Sequence, residues 1–440
     1  MSFTSKIYGN CIIPLSYYLR GDLRFWYFNQ YTKNLRKSKR EIKIYQLERL
    51  RKLVSHAYET VPYYTELFDK LNLKPEDIKS ISDLIKIPVL DKSTIRNNLD
   101  KLKSNKKYTL KESSSSGSTG NRIVIFKDKR YEEISRAVFM RNLWSVGVEP
   151  GEKVAWIWSS PIENAKLKKN LLHRIFWHLN RRILFNPLVY TDKQLEDWIR
   201  NDFTRFKPKY IYGYPNLIYD MAKLIKKKNI PLPHIKKIIC SAQHLEHREF
   251  IEDVFRCKVI DQYGSREILS ISIEDDNYIM HSSDDFVIVE LGKDNEIILT
   301  PLESYGMPLM RYVIGDMGLK QNYKKQDNHP FNQFNLKIGR LFEVLRNTKG
   351  EKITSSKINL QIAKEKLRIG EYQIVQKSLK EVQLNVVKDA RTSGKDVARL
   401  VQIIKQALGS KIVVVSYLKK FPLEKSGKKI GYKCLIKEVE

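Results

Sequence analysis

The sequence predicts an α/β fold: a large N-terminal body with parallel and mixed sheets, followed by a small α/β lobe at the C-terminus. Between residues 123 and 264, short apolar runs alternate with helix-like stretches, which indicates a largely parallel sheet. The 440 residues are 42% hydrophobic and 30% charged, a composition that excludes a disordered chain and supplies material for one large core or several smaller ones.

The first part of the chain has the pattern of packed helices. In YQLERLRKLVSHAYETV (45–61), apolar residues recur at three- and four-residue spacing, and Pro62, Pro75 and Pro88 interrupt the loops that follow. We therefore assign residues 1–110 to a helical portion of the large body.

The α/β core is predicted over residues 111–340. Strands are predicted at IVIF (123–126), VAWIW (154–158), YIYGYP (210–215), IKKIICSA (235–242) and KVIDQYG (258–264). Helices are predicted over 131–146 and in the stretches that end at Lys228 and Phe255. FVIVEL and EIILT, separated by turn residues 292–295, predict a hairpin after this alternation.

Residues 341–440 are predicted to form the small lobe. Its strand-like runs are YQIVQK, VQLNVVKD and KIVVVSYL, and a helix is predicted around 397–408.

The charge is strongly basic, with 80 Lys and Arg against 50 Asp and Glu. A nucleic-acid-binding protein is the class that this balance first suggests. The excess is spread almost evenly, however, except over 251–300, where twelve acidic residues face four basic ones. We therefore do not expect a nucleic-acid partner, whereas a divalent-metal site would tolerate this acidic block.

Cysteine use and hydropathy favour a cytoplasmic protein. Cys11, Cys240, Cys257 and Cys434 lie far apart and form no C-x-x-C pair, and no apolar run approaches the ~18 residues of a membrane span. The aromatic and basic stretch 17–40 has two interpretations, which are a peripheral contact with the inner face of the membrane and an ordinary packed helix.

The serine-rich run Ser113–Gly120 is the sharpest local signal. Small residues let the backbone approach an anion closely, so that N–H and hydroxyl groups can cradle a phosphate. It is not a Walker A loop, because no G-K-[ST] follows and the run leads into a strand. A flexible linker is the alternative interpretation of its composition.

This run is the first of several motifs that occur in a characteristic order. They are SSGSTG (115–120), QYGSRE (262–267), MPLMRYVIGD (307–316), GR (339–340) and PLEKSGK (422–428). In this order they resemble the adenylate-forming (acyl-CoA synthetase-like) superfamily, and most of all its phenylacetate–coenzyme A ligase branch, including relatives of CapK type from capsular polysaccharide biosynthesis. The resemblance extends over nearly the whole chain from about Tyr45.

The resemblance implies roles for individual residues. The phosphates of ATP would be bound by Ser115, Ser116, Gly117, Ser118, Thr119 and Gly120. The adenine and ribose of ATP would be bound by Tyr263 and Gly264, by Asp316, which would accept the ribose hydroxyls, and by Arg340, near the junction with a lobe that the resemblance implies to be mobile. Glu267 would help to hold Mg²⁺, and Lys428 would be the catalytic lysine. The acyl pocket would include Tyr214, Ser241, Ala242 and Gln243.

Each of these residues also has an ordinary structural interpretation. Tyr263 is one of 24 tyrosines and could pack at a strand end, Asp316 could cap a turn, and Lys428 could be a solvated turn lysine. The sequence departs from many relatives at Ser265–Arg266, next to Glu267, and at Leu341–Phe342, next to Arg340 at the junction with the lobe.

The implied activity is ATP-dependent conversion of a small carboxylic acid into an acyl-adenylate, followed by transfer to a thiol, expected to be coenzyme A, in surface-polysaccharide or related biosynthesis. One alternative is transfer to an acyl carrier protein or to a sugar amine or hydroxyl, with polysaccharide-assembly enzymes as partners. Another is a non-catalytic nucleotide-binding scaffold that contacts RNA or a membrane.

Overall fold

The α/β architecture with parallel and mixed sheets is confirmed. The structure is a computed structural model that describes residues 2–114, 123–158, 171–185, 189–293, 295–319, 329–338, 341–342, 345–353, 355–365, 367–387, 392–410, 412–419 and 430–436.

Helices dominate the N-terminal portion. They span Phe3–Ile7 (α1), Ile13–Tyr18 (α2), Arg24–Asn34 (α3), Lys39–Thr60 (α4), Pro62–Lys70 (α5) and Lys92–Asn97 (α6). A π-helical turn at Tyr8–Ile12 joins α1 to α2, and 3₁₀ helices lie at Pro75–Asp77 and Ile81–Lys86. A capping box starts α4: Ser38 Oγ accepts from the Glu41 N–H at 3.2 Å, and the Glu41 carboxylate accepts from the Ser38 N–H at 2.7 Å.

A hairpin precedes the central sheet. Its strands are Leu110–Ser114 (β1) and Val124–Asp128 (β2), which pair antiparallel. The predicted strand 123–126 is therefore present, and the serine-rich run begins inside a partner strand that the sequence did not indicate, because serine has little strand preference.

The central sheet has the order β10–β9–β8–β7–β6–β3–β4. Its strands span Val154–Ile157 (β3), Arg182–Phe185 (β4), Tyr210–Gly213 (β6), Lys237–Ser241 (β7), Lys258–Tyr263 (β8), Ser272–Glu274 (β9) and Met280–Ser282 (β10), and Val189–Tyr190 (β5) lies outside it. Strands β4, β3, β6, β7 and β8 run parallel, β9 pairs antiparallel with β8, and β10 pairs antiparallel with β9.

Helices connect these strands and cover the sheet. They span Lys129–Ser145 (α7), Leu171–Leu179 (α8), Asp192–Trp198 (α9), Thr204–Phe206 (α10), Pro215–Lys228 (α11) and Arg248–Phe255 (α12). The apolar faces of α11 and α12 pack with β6 and β7 in one buried cluster that includes Ile211, Met221, Ile238 and Ile251. The predicted strand–helix alternation is confirmed, with boundaries shifted by a few residues.

An antiparallel sheet follows, in the order β11–β12–β13–β14. Its strands are Val287–Leu291 (β11), Glu296–Pro301 (β12), Tyr312–Leu319 (β13) and Asn335–Ile338 (β14). The first two form the predicted hairpin.

The C-terminal part has a mixed sheet and a core of its own. The sheet order is β15–β21–β18–β19–β20, from Leu341–Phe342 (β15), Tyr372–Gln376 (β18), Glu381–Val387 (β19), Ile412–Leu418 (β20) and Ile430–Cys434 (β21). The helices Ser355–Lys364 (α13) and Gly394–Leu408 (α14) pack on it. Leu345–Arg346 (β16) and Lys352–Ile353 (β17) form a small sheet with β5 of the large body.

A buried ion pair joins α7 to the acidic block. Arg141 Nη2 lies 2.9 Å from Asp285 Oδ1, and both side chains are 0% exposed. Asn34 Nδ2 of α3 donates to the same carboxylate at 2.9 Å. Asp285 therefore ties the N-terminal helices to the central body.

We expect Arg141→Ala to lower the free energy of unfolding by about 3–5 kcal/mol, because it leaves the Asp285 carboxylate buried without its cation. The matched control is Arg200→Ala, which breaks a half-exposed pair with Glu196 and should cost less than about 1 kcal/mol. Urea denaturation of both variants checks the difference; equal midpoints would contradict the role given to this pair.

Candidate active site

Three adjacent parallel strands bring the candidate residues to one edge of the central sheet. β6 ends at Gly213, β7 at Ser241 and β8 at Tyr263, and these strands pair in register as neighbours. Tyr214, Ala242 and Gly264 therefore follow the carboxyl ends of adjacent strands, which is where open α/β sheets bind ligands.

Gln262 connects the strand ends. Its Oε1 accepts a hydrogen bond from Ser241 Oγ at 2.7 Å and another from the Tyr212 hydroxyl at 3.2 Å. Gly264 follows at a point where the backbone passes close to another segment: an added Cβ would lie 2.1 Å from the Leu269 carbonyl oxygen. Glycine is therefore required at this position of the motif on steric grounds.

Tyr263 and Asp316, which the sequence assigns to adenine and ribose, lie together. The Tyr263 hydroxyl donates to Asp316 Oδ2 at 2.9 Å, and both residues are 8% exposed. Phe334 stacks near the tyrosine ring, with ring centroids 6.1 Å apart. A carboxylate and a flat aromatic surface thus lie side by side at the end of β8.

Glu267 is held at both its side chain and its main chain. The Tyr312 hydroxyl donates to Glu267 Oε1 at 3.2 Å, and the Tyr131 hydroxyl donates to the Glu267 carbonyl oxygen at 3.1 Å. Burial raises the pKa of Tyr131 far above its usual value, so this hydroxyl stays protonated as a donor. The carboxylate is 3% exposed and has a fixed position.

A buried lysine lies behind this motif. Lys127 Nζ donates to the Arg266 carbonyl oxygen at 2.6 Å. Burial lowers the pKa of Lys127 to about 8, while the nearby carboxylates of Glu132 and Glu267 oppose this shift. No sequence pattern pointed to Lys127, because a lysine after an apolar strand run is usually solvent-exposed.

Aromatic side chains pack against one another near the residues assigned to the acyl pocket. The rings of Trp158 and Tyr214 have centroids 4.2 Å apart, and Trp158 also stacks with Tyr212 at 5.6 Å. Gln243 Oε1 is buried and has no hydrogen-bond partner among the described residues. Ala242, between the end of β7 and Gln243, has a φ of +69°. This left-handed conformation turns the chain after the strand.

Other candidate residues lie outside the described residues. They are Ser115, Ser116, Gly117, Ser118, Thr119, Gly120, Arg340 and Lys428. Their described neighbours are informative: β1 and β2, which flank the serine-rich run, are paired strands. Leu341, directly after Arg340, pairs with Ile430, two residues after Lys428.

The described ranges contain no group of three or more His, Cys, Asp or Glu side chains arranged for a metal ion. The Glu267 carboxylate offers oxygen atoms of the kind that Mg²⁺ prefers, and this ion commonly binds one or two carboxylates together with substrate phosphates. In the same part of the chain, no helix has both the length and the apolar character needed to cross a membrane.

Comparisons with known proteins agree with this architecture. The model of the CapK C-terminal domain matches residues 345–437. Protein CapK of Staphylococcus aureus is 26% identical over 298 residues, a match that covers 64% of this chain and 65% of that protein, just under two thirds of its length. Phenylacetate-coenzyme A ligase of Aromatoleum evansii is 25% identical over 304 residues, which is 64% of this chain and 67% of the ligase.

Solved structures show the same fold. The structure of 2-hydroxyisobutyryl-CoA ligase in complex with 2-HIB-AMP and CoA, in the thioesterification state, has a TM-score of 0.58 and 18% identity, with 90% of each chain covered. An open conformation of that ligase has a TM-score of 0.52 and covers 86% of this chain and 89% of the ligase. The chain is therefore similar in sequence to CapK and the phenylacetate-coenzyme A ligases, and it has the fold of an adenylate-forming coenzyme A ligase with a C-terminal domain.

Proposed function

We propose that this protein activates a small carboxylic acid with ATP as an acyl-adenylate and then transfers the acyl group to coenzyme A. The observation that carries the proposal is the arrangement at the end of β8, where Tyr263 and Asp316 are hydrogen-bonded and Glu267 is fixed nearby in the same motif. An aromatic ring can stack on a purine, a carboxylate can accept ribose hydroxyls, and a second carboxylate can bind a phosphate-bound Mg²⁺.

The first half-reaction needs ATP because a carboxylate has no good leaving group. A substrate carboxylate oxygen attacks the α-phosphorus, the bond to the β-phosphate oxygen breaks, and pyrophosphate leaves. The acyl group then carries AMP as its leaving group. Residues 115–120 would orient the departing pyrophosphate, and Lys428 would neutralise charge that develops on the phosphates. Glu267 would hold Mg²⁺, whose charge lowers the repulsion between the substrate carboxylate and the phosphates.

The nucleoside would be held by the pair at the end of β8. Adenine would stack on the Tyr263 ring, and the Asp316 carboxylate would accept both ribose hydroxyls. The hydrogen bond between these side chains fixes the carboxylate before ATP binds, so that little conformational freedom is lost on binding.

The acid would bind between Tyr214, Ser241, Ala242 and Gln243. The aromatic stack of Trp158, Tyr212 and Tyr214 supports an acid with a flat or apolar body. Gln243 Oε1 would accept a hydrogen bond from a donor group of that acid, since it lacks a partner among the described side chains.

The second half-reaction would require the lobe to move. We propose three regions: residues 1–110 and 111–340, which together form the large body, and the lobe, residues 341–440. Rotation near Arg340 would withdraw Lys428 and admit the thiol. The thiol sulfur then attacks the acyl carbon, releases AMP and forms a thioester.

The acceptor and the pathway are further parts of the proposal. Coenzyme A is the proposed acceptor, with a carrier protein or a sugar amine or hydroxyl as the alternatives that compete with it. Family resemblance supports a role in surface-polysaccharide or related biosynthesis, in the cytoplasm, with peripheral contact at the membrane.

Product analysis tests the proposal. Purified protein is incubated with Mg²⁺–ATP, coenzyme A and panels of aromatic, short aliphatic and hydroxy acids, and AMP and thioesters are measured by mass spectrometry. We expect AMP and acyl-coenzyme A in equal amounts with one class of acid. AMP formed only with a carrier protein or an amino sugar would reassign the acceptor, and ATP cleavage to ADP would contradict the proposal.

The pair at the end of β8 makes a specific prediction about nucleotide binding. We expect Asp316→Asn to weaken ATP binding by about ten- to a hundredfold, because the amide replaces a charged acceptor of the ribose hydroxyls. Tyr263→Phe keeps the stacking surface and should cost less than about tenfold. Isothermal titration with a non-hydrolysable ATP analogue measures both variants, and the reverse order of effects would contradict these roles.

A further inference from the structure

The first helical segment of the chain presents apolar side chains to solvent. We call residues 3–18 the N-terminal helix; it consists of α1, the π-helical turn and α2. The residues that it buries recur at every fourth position, and the first two are small: Ser5, Gly9, Ile13 and Tyr17. Its exposed apolar residues lie on the other side: Phe3 (80% exposed), Ile7 (39%), Leu15 (55%) and Tyr18 (68%). A helix of a globular protein normally buries such a stripe.

Close packing fixes this orientation. An added Cβ on Gly151 would lie 2.3 Å from the Ser5 carbonyl oxygen and 2.4 Å from the Gly9 nitrogen, so the two backbones are in direct contact. Ser5 Oγ donates to Glu152 Oε2 at 3.1 Å and accepts from Arg181 Nη1 at 2.9 Å. Turning the apolar stripe inward would break these polar contacts and drive larger side chains into the space that Ser5 and Gly9 occupy.

A second exposed helix lies beside the first. The ring of Tyr17 contacts that of Phe176 in α8 with centroids 5.0 Å apart, and the Arg20 guanidinium lies 3.9 Å above the same ring. From α8, Ile175 is 47% exposed, and Leu19 at the end of the N-terminal helix is 76% exposed. We define the N-terminal patch by its exposed apolar members: Phe3, Ile7, Leu15, Tyr18, Leu19 and Ile175.

The charge around this patch is positive. Residues 1–40 contain eight Lys and Arg and a single acidic residue, Asp22. That carboxylate accepts a hydrogen bond from Arg24 Nε at 2.9 Å. A second copy of the chain would bring the same positive charge to the patch, and a nucleic acid would leave its apolar side chains in water. An anionic lipid surface complements both the charge and the apolar stripe.

We propose that the N-terminal patch docks this protein on the surface of an anionic lipid bilayer. The inference rests on the peripheral membrane contact proposed above and not on the acyl-adenylate chemistry. It assigns that contact to residues 3–19 and α8, whereas the sequence pattern suggests residues 17–40. Helix α3 is tied to the body instead, because Tyr31 donates to Glu303 at 3.2 Å and Asn34 donates to Asp285.

Docking in this way leaves the candidate active site accessible. Gly151, Glu152 and Arg181, which contact the N-terminal helix, precede β3 and β4 and so lie at the amino ends of the parallel strands. The candidate site lies at the carboxyl ends, on the opposite edge of the sheet. The protein would therefore dock by one edge and receive water-soluble substrates at the other.

Vesicle flotation of the full chain tests the proposal. Wild-type protein is mixed with vesicles of phosphatidylcholine containing phosphatidylglycerol, and separately with phosphatidylcholine alone. We expect at least about tenfold stronger partitioning onto the anionic vesicles. The triple variant Ile7→Ser, Leu15→Ser, Leu19→Ser should lose at least about another tenfold on those vesicles, since three apolar side chains no longer enter the interface.

The matched control removes three exposed apolar side chains elsewhere: Leu71→Ser, Ile85→Ser and Val89→Ser, at positions 43%, 74% and 44% exposed. It should float like the wild type. Thermal melts and acid-dependent pyrophosphate exchange without vesicles should be unchanged in both triple variants, so a loss of flotation is separable from misfolding and from failure of the proposed chemistry.

Three results would overturn the proposal. They are wild-type protein that fails to float with anionic vesicles, a patch variant that floats as well as the wild type, and a patch variant that changes a dimer into a monomer in sedimentation. The last result would show that the patch is an interface between two copies of the chain.

Discussion

Alanine at Lys428 is expected to reduce acyl-adenylate formation by about a hundredfold or more, while coenzyme A attack on a supplied acyl-adenylate falls far less. The lysine would act on charge that develops as the carboxylate attacks the α-phosphate, and this charge is absent from the second half-reaction. Two described features support its position: β21 starts two residues later, and it pairs with β15, directly after Arg340. Single-turnover assays of each half-reaction measure the effect.

Lys429 provides the matched control for this variant, because it adds the same charge at the adjacent position. Lys429→Ala should retain adenylate formation within about threefold, since general attraction of ATP is shared among many cations of this basic chain. If both variants lose activity equally, or if Lys428→Ala slows the two half-reactions to the same extent, Lys428 does not have the proposed role.

Glutamine at Glu267 is expected to lower the rate of adenylate formation by about a hundredfold and to raise the Mg²⁺ concentration needed for half-maximal rate. The amide keeps the shape of the side chain and can still accept from the Tyr312 hydroxyl at this buried position, but it loses the charge that binds the ion. Titrations of the rate with Mg²⁺ at saturating ATP measure both changes.

Tyr312→Phe tests how far the position of the Glu267 carboxylate matters when its charge is unchanged. It removes the hydroxyl 3.2 Å from Glu267 Oε1, and we expect a rate loss of less than about tenfold because the charge stays in place. An unchanged Mg²⁺ requirement in Glu267→Gln, with the fold intact, would show that this carboxylate does not hold the ion.

Local pattern was sufficient to predict the main elements of the fold. Strands such as β6 and β7 are short apolar runs between helices. Their own residues are sufficient to predict them, because a short apolar run is typical of a buried strand. The ordered motifs assign Tyr263 and Asp316 to adjoining parts of one nucleotide, and these residues, fifty-three positions apart, are hydrogen-bonded. Their roles with a nucleotide stay predictions.

Features that depend on tertiary packing could not be predicted. Lys127 and Arg141 are charged residues that sequence patterns place at the surface, but both are buried because distant groups satisfy them: the Arg266 carbonyl oxygen and the Asp285 carboxylate. The outward apolar face of the N-terminal helix depends on contact with Gly151, about 140 residues away. No local window of sequence contains that information.

The central claim is that this protein makes an acyl-adenylate, and exchange of labelled pyrophosphate into ATP tests it most directly. Labelled pyrophosphate enters ATP only when it attacks an enzyme-bound adenylate that has formed from an added acid. We predict exchange that depends on both Mg²⁺ and one class of carboxylic acid, that needs no coenzyme A, and that Lys428→Ala slows by about a hundredfold or more. If folded protein that binds ATP shows no exchange with any acid in the panel, the proposed activity is wrong.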